Sequence, residues 1–211
     1  MDPKKEYLDI ISAAEARLEL LSLSGIYDIP SHGEARVGAC EGCALVGGKA
    51  HAVRGEGGAG SRLMFVGGAP DEAARASGRP FSWSEAELLA KIINAMGFDR
   101  RDVYVTCALK CAPGESESSL AEGLTSCRPF LVREISVNSP RVIVALGESA
   151  ASAFLGKAPF DDVRGRFHSY GEILLMPTYE PATLLERPEL KKDVWKDMQR
   201  VAAELKKAPP D

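Results

Sequence analysis

Four short, continuously apolar runs constrain this chain most: Leu63–Gly67 (LMFVG), Val103–Cys107 (VYVTC), Val142–Gly147 (VIVALG) and Ile173–Pro177 (ILLMP). A half-buried strand alternates apolar and polar side chains, whereas a run apolar throughout suits a strand covered on both faces. Helical stretches separate the runs, at about 84–96, 120–138 and 148–155. A last one follows at about 189–206, with Leu190, Val194, Trp195, Met198, Val201 and Leu205 toward one side. Strands that alternate with helices imply parallel pairing through right-handed crossovers. The expected fold is therefore α/β, a three-layer α/β/α sandwich around a four-stranded parallel central sheet. Such sheets bind ligands beyond the carboxyl ends of their strands. Here those exits carry Gly67-Gly68-Ala69-Pro70-Asp71, Thr106-Cys107 and Thr178-Tyr179-Glu180-Pro181.

Upstream of the first run, Tyr7, Ile10, Ile11, Ala14, Leu18 and Leu21 recur at helical spacing, so an amphipathic helix is expected at 5–23. Residues 1–36 read as this helix and a linker, and 37–211 as the main domain with its cysteine-bearing loop. Cys40 and Cys43 form a close pair in CEGC, and Cys111 and Cys127 come much later. The start of the chain lacks the apolar stretch of a signal peptide, so reduced thiols and metal ligation are expected rather than disulfides. Four thiolates suit either a tetrahedral zinc or a [4Fe–4S] cluster, and the spacing does not choose between them. With 45% apolar residues, 211 residues can bury one sizeable core, and a net charge of −4 gives no global basic signature of nucleic-acid binding. No apolar run is long enough to cross a bilayer. A soluble, cytoplasmic, monomeric protein is expected.

The fragments CEGCAL, FVGGAPDEAARASGRPF, YVTCALKCAPG, CRPFLVREI, PRVIVALGESA and MPTYEPATLLERPELKKDVWKDM, in this order and spacing, resemble the iron–sulfur uracil-DNA glycosylases, the family-4 branch of their superfamily. The resemblance runs from about Val37 to Met198. It implies a [4Fe–4S] cluster on Cys40, Cys43, Cys111 and Cys127, and so favours iron–sulfur over zinc. It implies DNA as the partner and a base turned out of the helix into the pocket. Phe81 falls where the family stacks a ring on that base, beside Gly68, Ala69 and Pro70. Ser149 opens a helix whose free N–H groups suit a phosphate. Leu184 and Leu185 fall in the loop that wedges into the minor groove, followed by Arg187 at phosphate distance.

The chain departs from the family at three polar positions. The usual Gly-Glu-Ala-Pro-Gly is Gly67-Gly68-Ala69-Pro70-Asp71, the usual Asn after the second strand is Cys107, and the usual His-Pro is Glu180-Pro181. A neutral His aimed at the departing base stabilises its negative charge, whereas an ionised Glu180 repels it. A thiol does not reproduce the paired hydrogen bonds of Asn. One expectation is a retuned pocket in which Asp71 and Glu180 act as a carboxylate pair and Cys107 touches or attacks the base. The alternative is a DNA- or lesion-binding module that has lost excision. The plainer roles are helix capping for Asp71, a solvated turn for Glu180 and a small core residue at Cys107.

Overall fold

The computed structural model describes residues 52–111 and 117–207, with the backbone alone at 117 and 118. The expected helix at 5–23, the linker to residue 36, Cys40 and Cys43 lie outside the described residues. The strands are β1 (Glu56–Gly57), β2 (Leu63–Gly67), β3 (Val103–Cys107), β4 (Val142–Leu146), β5 (His168–Tyr170) and β6 (Ile173–Thr178). The helices are α1 (Glu72–Ser77), α2 (Trp83–Ala95), α3 (Glu117–Asn138), α4 (Glu148–Leu155), α5 (Phe160–Val163), α6 (Pro181–Glu186) and α7 (Lys191–Lys206).

The strands form one sheet in the order β1-β3-β2-β4-β6-β5. The inner strands β3, β2, β4 and β6 run parallel, with Phe65 opposite both Val105 and Val144, and Val144 opposite Met176. These are the four expected runs. Among the described residues the sheet is nonetheless six-stranded and mixed rather than four-stranded and parallel, because β1 and β5 add antiparallel edges. Both edge strands are too short and too polar to register as apolar runs.

Alternate residues of each inner strand feed two different cores. Leu63, Phe65, Val103, Val105, Val142, Val144 and Met176 pack with Leu89 and Ile93 of α2 and with Val194, Met198 and Val201 of α7. Met64, Val66, Ile143, Ala145 and Leu175 pack on the other face with Leu131 and Ile135 of α3 and Ala150 of α4. Two-sided burial is the reason the strands read as unbroken apolar runs.

Polar groups fix the strand exits. Lys110, wholly buried, donates from Nζ to Glu134 Oε2 at 2.7 Å, to Thr106 Oγ1 at 2.7 Å and to the Cys107 carbonyl at 2.9 Å. Thr106 also donates to Glu134 at 2.9 Å. This network ties the end of β3 to the middle of α3. At the other side Asp197 of α7 accepts from Thr178 Oγ1 at 2.7 Å and from Arg164 at 3.2 Å. The Arg164 guanidinium lies 4.7 Å from the Tyr179 ring centre, so the residue before Glu180 is held by a cation–π contact.

Candidate active site

Because the inner strands are parallel, their carboxyl ends open on one edge of the sheet, where β2, β3, β4 and β6 deliver residues 67–71, 107–109, 147–149 and 178–181. The β2 and β3 exits are stitched together by Ala108 N–H to the Gly67 carbonyl (2.8 Å) and Leu109 N–H to the Gly68 carbonyl (3.0 Å). Gly147 N–H likewise donates to the Thr178 carbonyl at 2.8 Å, joining the β4 and β6 exits.

Glycines let these exits approach. A Cβ at Gly67 would stand 2.7 Å from the Phe81 ring and 3.5 Å from the Cys107 sulfur, so Phe81 lies directly over the end of β2. Gly147 has φ +87°, and a Cβ there would stand 2.8 Å from a Glu180 carboxyl oxygen. A Cβ at Gly68 would lie 2.9 Å from Ser149 Cβ. The position without the family's acid is thus closed by a neighbouring side chain. Gly68→Ala is expected to cost roughly 1–3 kcal/mol by overpacking. Adding Ser149→Gly is expected to recover part of that cost. Urea unfolding of the two single variants and the double variant checks this, and strict additivity would refute the contact.

Asp71 is exposed and caps α1, its Oδ1 accepting from the Ala74 N–H at 2.6 Å. Glu180 is half-buried at the start of α6, with Pro181 in the first turn; burial, then the charge of Glu186, raises its pKa above the ordinary carboxyl value. A third carboxyl, Glu85 in the first turn of α2, completes the mouth. Burial first, then the charges of Asp71 and Glu180, push it up to about 7, against the opposing hydrogen bond from the Ser82 backbone. Sequence reasoning missed Glu85. An acidic residue in the first turn of a helix reads as a favourable dipole contact, and only the folded chain brings this one to Asp71 and Glu180.

Cys107 is 1% exposed, and its thiol donates to the Pro80 carbonyl at 3.1 Å. Burial pushes its pKa up to about 12, with Lys110 opposing. A thiol that holds its proton so firmly is a poor nucleophile. This environment argues against the covalent role expected at Cys107 and leaves it as a small wall residue.

Ala69 is exposed, and Pro70 and Phe81 are buried. Leu184 and Leu185 separate: Leu184 is 1% exposed and packs in the core, while Leu185 is 43% exposed. Of the two residues expected as a wedge, only Leu185 is solvent-facing. Arg187 is exposed and pairs with Glu189 at 3.3 Å. Ser149 borders an open groove of about 800 Å³ between α3 and α4, whose lining includes Arg128, Ser152 and Lys157.

Cys111 and Cys127 are both 3% exposed, and the Lys110 N–H donates to Cys127 Sγ at 3.4 Å. Two buried thiols near the end of β3, one with a backbone donor on its sulfur, suit soft-metal ligation. Among the described residues no group of three or more His, Cys, Asp or Glu forms a ligand set.

Comparison with known proteins shows the family. The family model described as the uracil DNA glycosylase superfamily matches residues 54–199. The chain is 33% identical over 180 residues to the type-4 uracil-DNA glycosylase of Saccharolobus solfataricus, covering 81% of this chain and 83% of that one. It is 34% identical over 177 residues to the type-4 enzyme of Thermotoga maritima, covering 82% and 92%. A type-5 uracil-DNA glycosylase of Pyrobaculum aerophilum is 34% identical over 110 residues, covering 45% and 48%.

Proposed function

We propose a reaction for this chain, which belongs to the uracil DNA glycosylase superfamily: hydrolysis of the N-glycosidic bond of a damaged base turned out of DNA, as a step of base-excision repair. The observation that carries the proposal is the meeting of Glu85, Glu180 and Asp71 at the exits of the parallel strands, with Glu85 raised to about 7.

Cleavage leaves negative charge on the departing base and positive charge on the sugar. A carboxyl that keeps its proton toward neutrality, Glu85, donates that proton to the base as the C1′–N bond breaks. Asp71 faces the cationic sugar. Water adds its oxygen to C1′ and releases a proton to the carboxylate that the acid step left behind, restoring the site. Phe81, Ala69 and Pro70 wall the pocket, and the Phe81 ring supplies a surface for the base. Leu185 fills the space left in the duplex, and Ser149, with Arg187 beyond it, contacts phosphate. Leaving groups that accept a proton readily suit this acid-rich mouth best, because its donor transfers a proton and any carboxyl left ionised repels a base that departs as an anion.

Cys111 and Cys127, with Cys40 and Cys43, are the residues that would hold a [4Fe–4S] cluster. When bound it supplies a cross-link between the amino-terminal segment and the end of β3. A zinc ion on the same thiolates is the lesser alternative.

The family's base-reading Asn is replaced by Cys107, whose thiol is spent on Pro80. That favours a second reading, a lesion-binding module without excision. One experiment separates the two. Purified protein is incubated with oligonucleotides carrying uracil, hypoxanthine, xanthine or an oxidised pyrimidine, then treated with alkali. Strand breaks at a lesion support the glycosylase. A gel shift on lesion DNA with no break at any lesion supports the binding module.

A further inference from the structure

We propose that Trp83 is a DNA-stacking residue outside the pocket, taking the face of an unpaired nucleobase next to the excised one. The proposal rests on the DNA-binding function given above. Trp83 is 79% exposed, against 63%, 43% and 38% for Val137, Leu185 and Trp195. It occupies the first position of α2, after the Ser82 cap. There a tryptophan adds nothing to the core, and many residues form helix better.

Its neighbours fix its location. Phe81, two residues before, lies over Gly67 at the end of β2, and Glu85, two residues after, feels Asp71 and Glu180. The backbone at Trp83 therefore runs along the mouth. α2 also packs against α6, which carries the exposed Leu185.

Charge decides what can touch this rim. The carboxyls of Asp71, Glu85, Glu180 and Glu186 gather there, and each of them that is ionised repels phosphate. Arg128 and Lys157 line the separate groove between α3 and α4, and Arg187 follows Glu186 at the far end of α6. On such an acid-bearing rim an indole offers an uncharged, sequence-tolerant surface on which a base stacks.

The chain has two tryptophans, so Trp195→Phe leaves Trp83 as the sole indole reporter. Short oligonucleotides with a tetrahydrofuran abasic analogue, single-stranded and duplex, are titrated into this variant. Quenching of Trp83 emission with the same midpoint as a gel shift is expected. Trp83→Ala is expected to weaken binding by between about 5- and 150-fold, with Trp83→Phe retaining most of the affinity and both variants keeping the wild-type melting temperature. If the wild type binds DNA while Trp83 emission is unmoved and Trp83→Ala binds equally well, the stacking role is overturned and the indole is left for a protein partner. If the wild type binds none of these oligonucleotides, the DNA-binding function falls together with the stacking role.

Discussion

Glu134→Ala is expected to destabilise the protein by about 3–5 kcal/mol, because it strands an ammonium with no access to water. Lys110 is 0% exposed and spends its donors on Glu134, Thr106 and the Cys107 carbonyl. Removing Glu134 takes away the compensating charge and the acceptor for Thr106 together. Lys110→Met with Glu134→Leu, which removes both charges, is expected to recover most of the loss, since an apolar pair of similar volume carries no desolvation cost. Urea unfolding of the three proteins reads this directly. A Glu134→Ala variant as stable as the wild type would show that the pair contributes nothing.

Glu85→Gln is expected to lower the excision rate by roughly 10²- to 10⁴-fold at mildly acidic pH, the range for loss of a general acid. Glutamine keeps the shape but carries no proton to give. The wild-type rate is expected to fall as pH rises through about 7, where Glu85 loses its proton, and the variant is expected to lack that limb. Stability moves the same way. A carboxyl raised in the folded state binds its proton more tightly there than in the unfolded chain. Its contribution is fully present below about 4.5 and is lost as pH rises through about 7. Glu85→Gln is thus expected to gain stability over the wild type at pH 8 and little at pH 4. Melting temperatures and single-turnover rates across this range test both halves. A pH–rate profile left unaltered by the substitution would assign the acid to Glu180, where burial also raises the pKa.

The sequence made some of this legible and hid the rest, for identifiable reasons. Val142–Leu146 announces itself because each of its residues is buried, on one sheet face or the other. Glu56–Gly57 and His168–Tyr170 announce nothing, being short, polar and on the edges. Asp71 looks like a helix cap and is one. Leu184 and Leu185 are indistinguishable in the sequence, and the turn of α6 sends one to the core and leaves the other in solvent. Glu85 gives no sign of its partners because Asp71 and Glu180 reach it from distant parts of the chain. Gly68 reads as a missing acid, and only the fold shows Ser149 standing against it.

The reversed strands at the two flanks bear on how concentrated solutions of this protein behave. A parallel sheet cut off at β3 or β6 would present a five- or six-residue ladder of unpaired amides and carbonyls. Here the outermost ribbon has two residues on one flank and three on the other. Among the described residues neither is long enough to recruit a second molecule by backbone pairing, so the described sides of the sheet offer crowded copies a poor template for fibril growth.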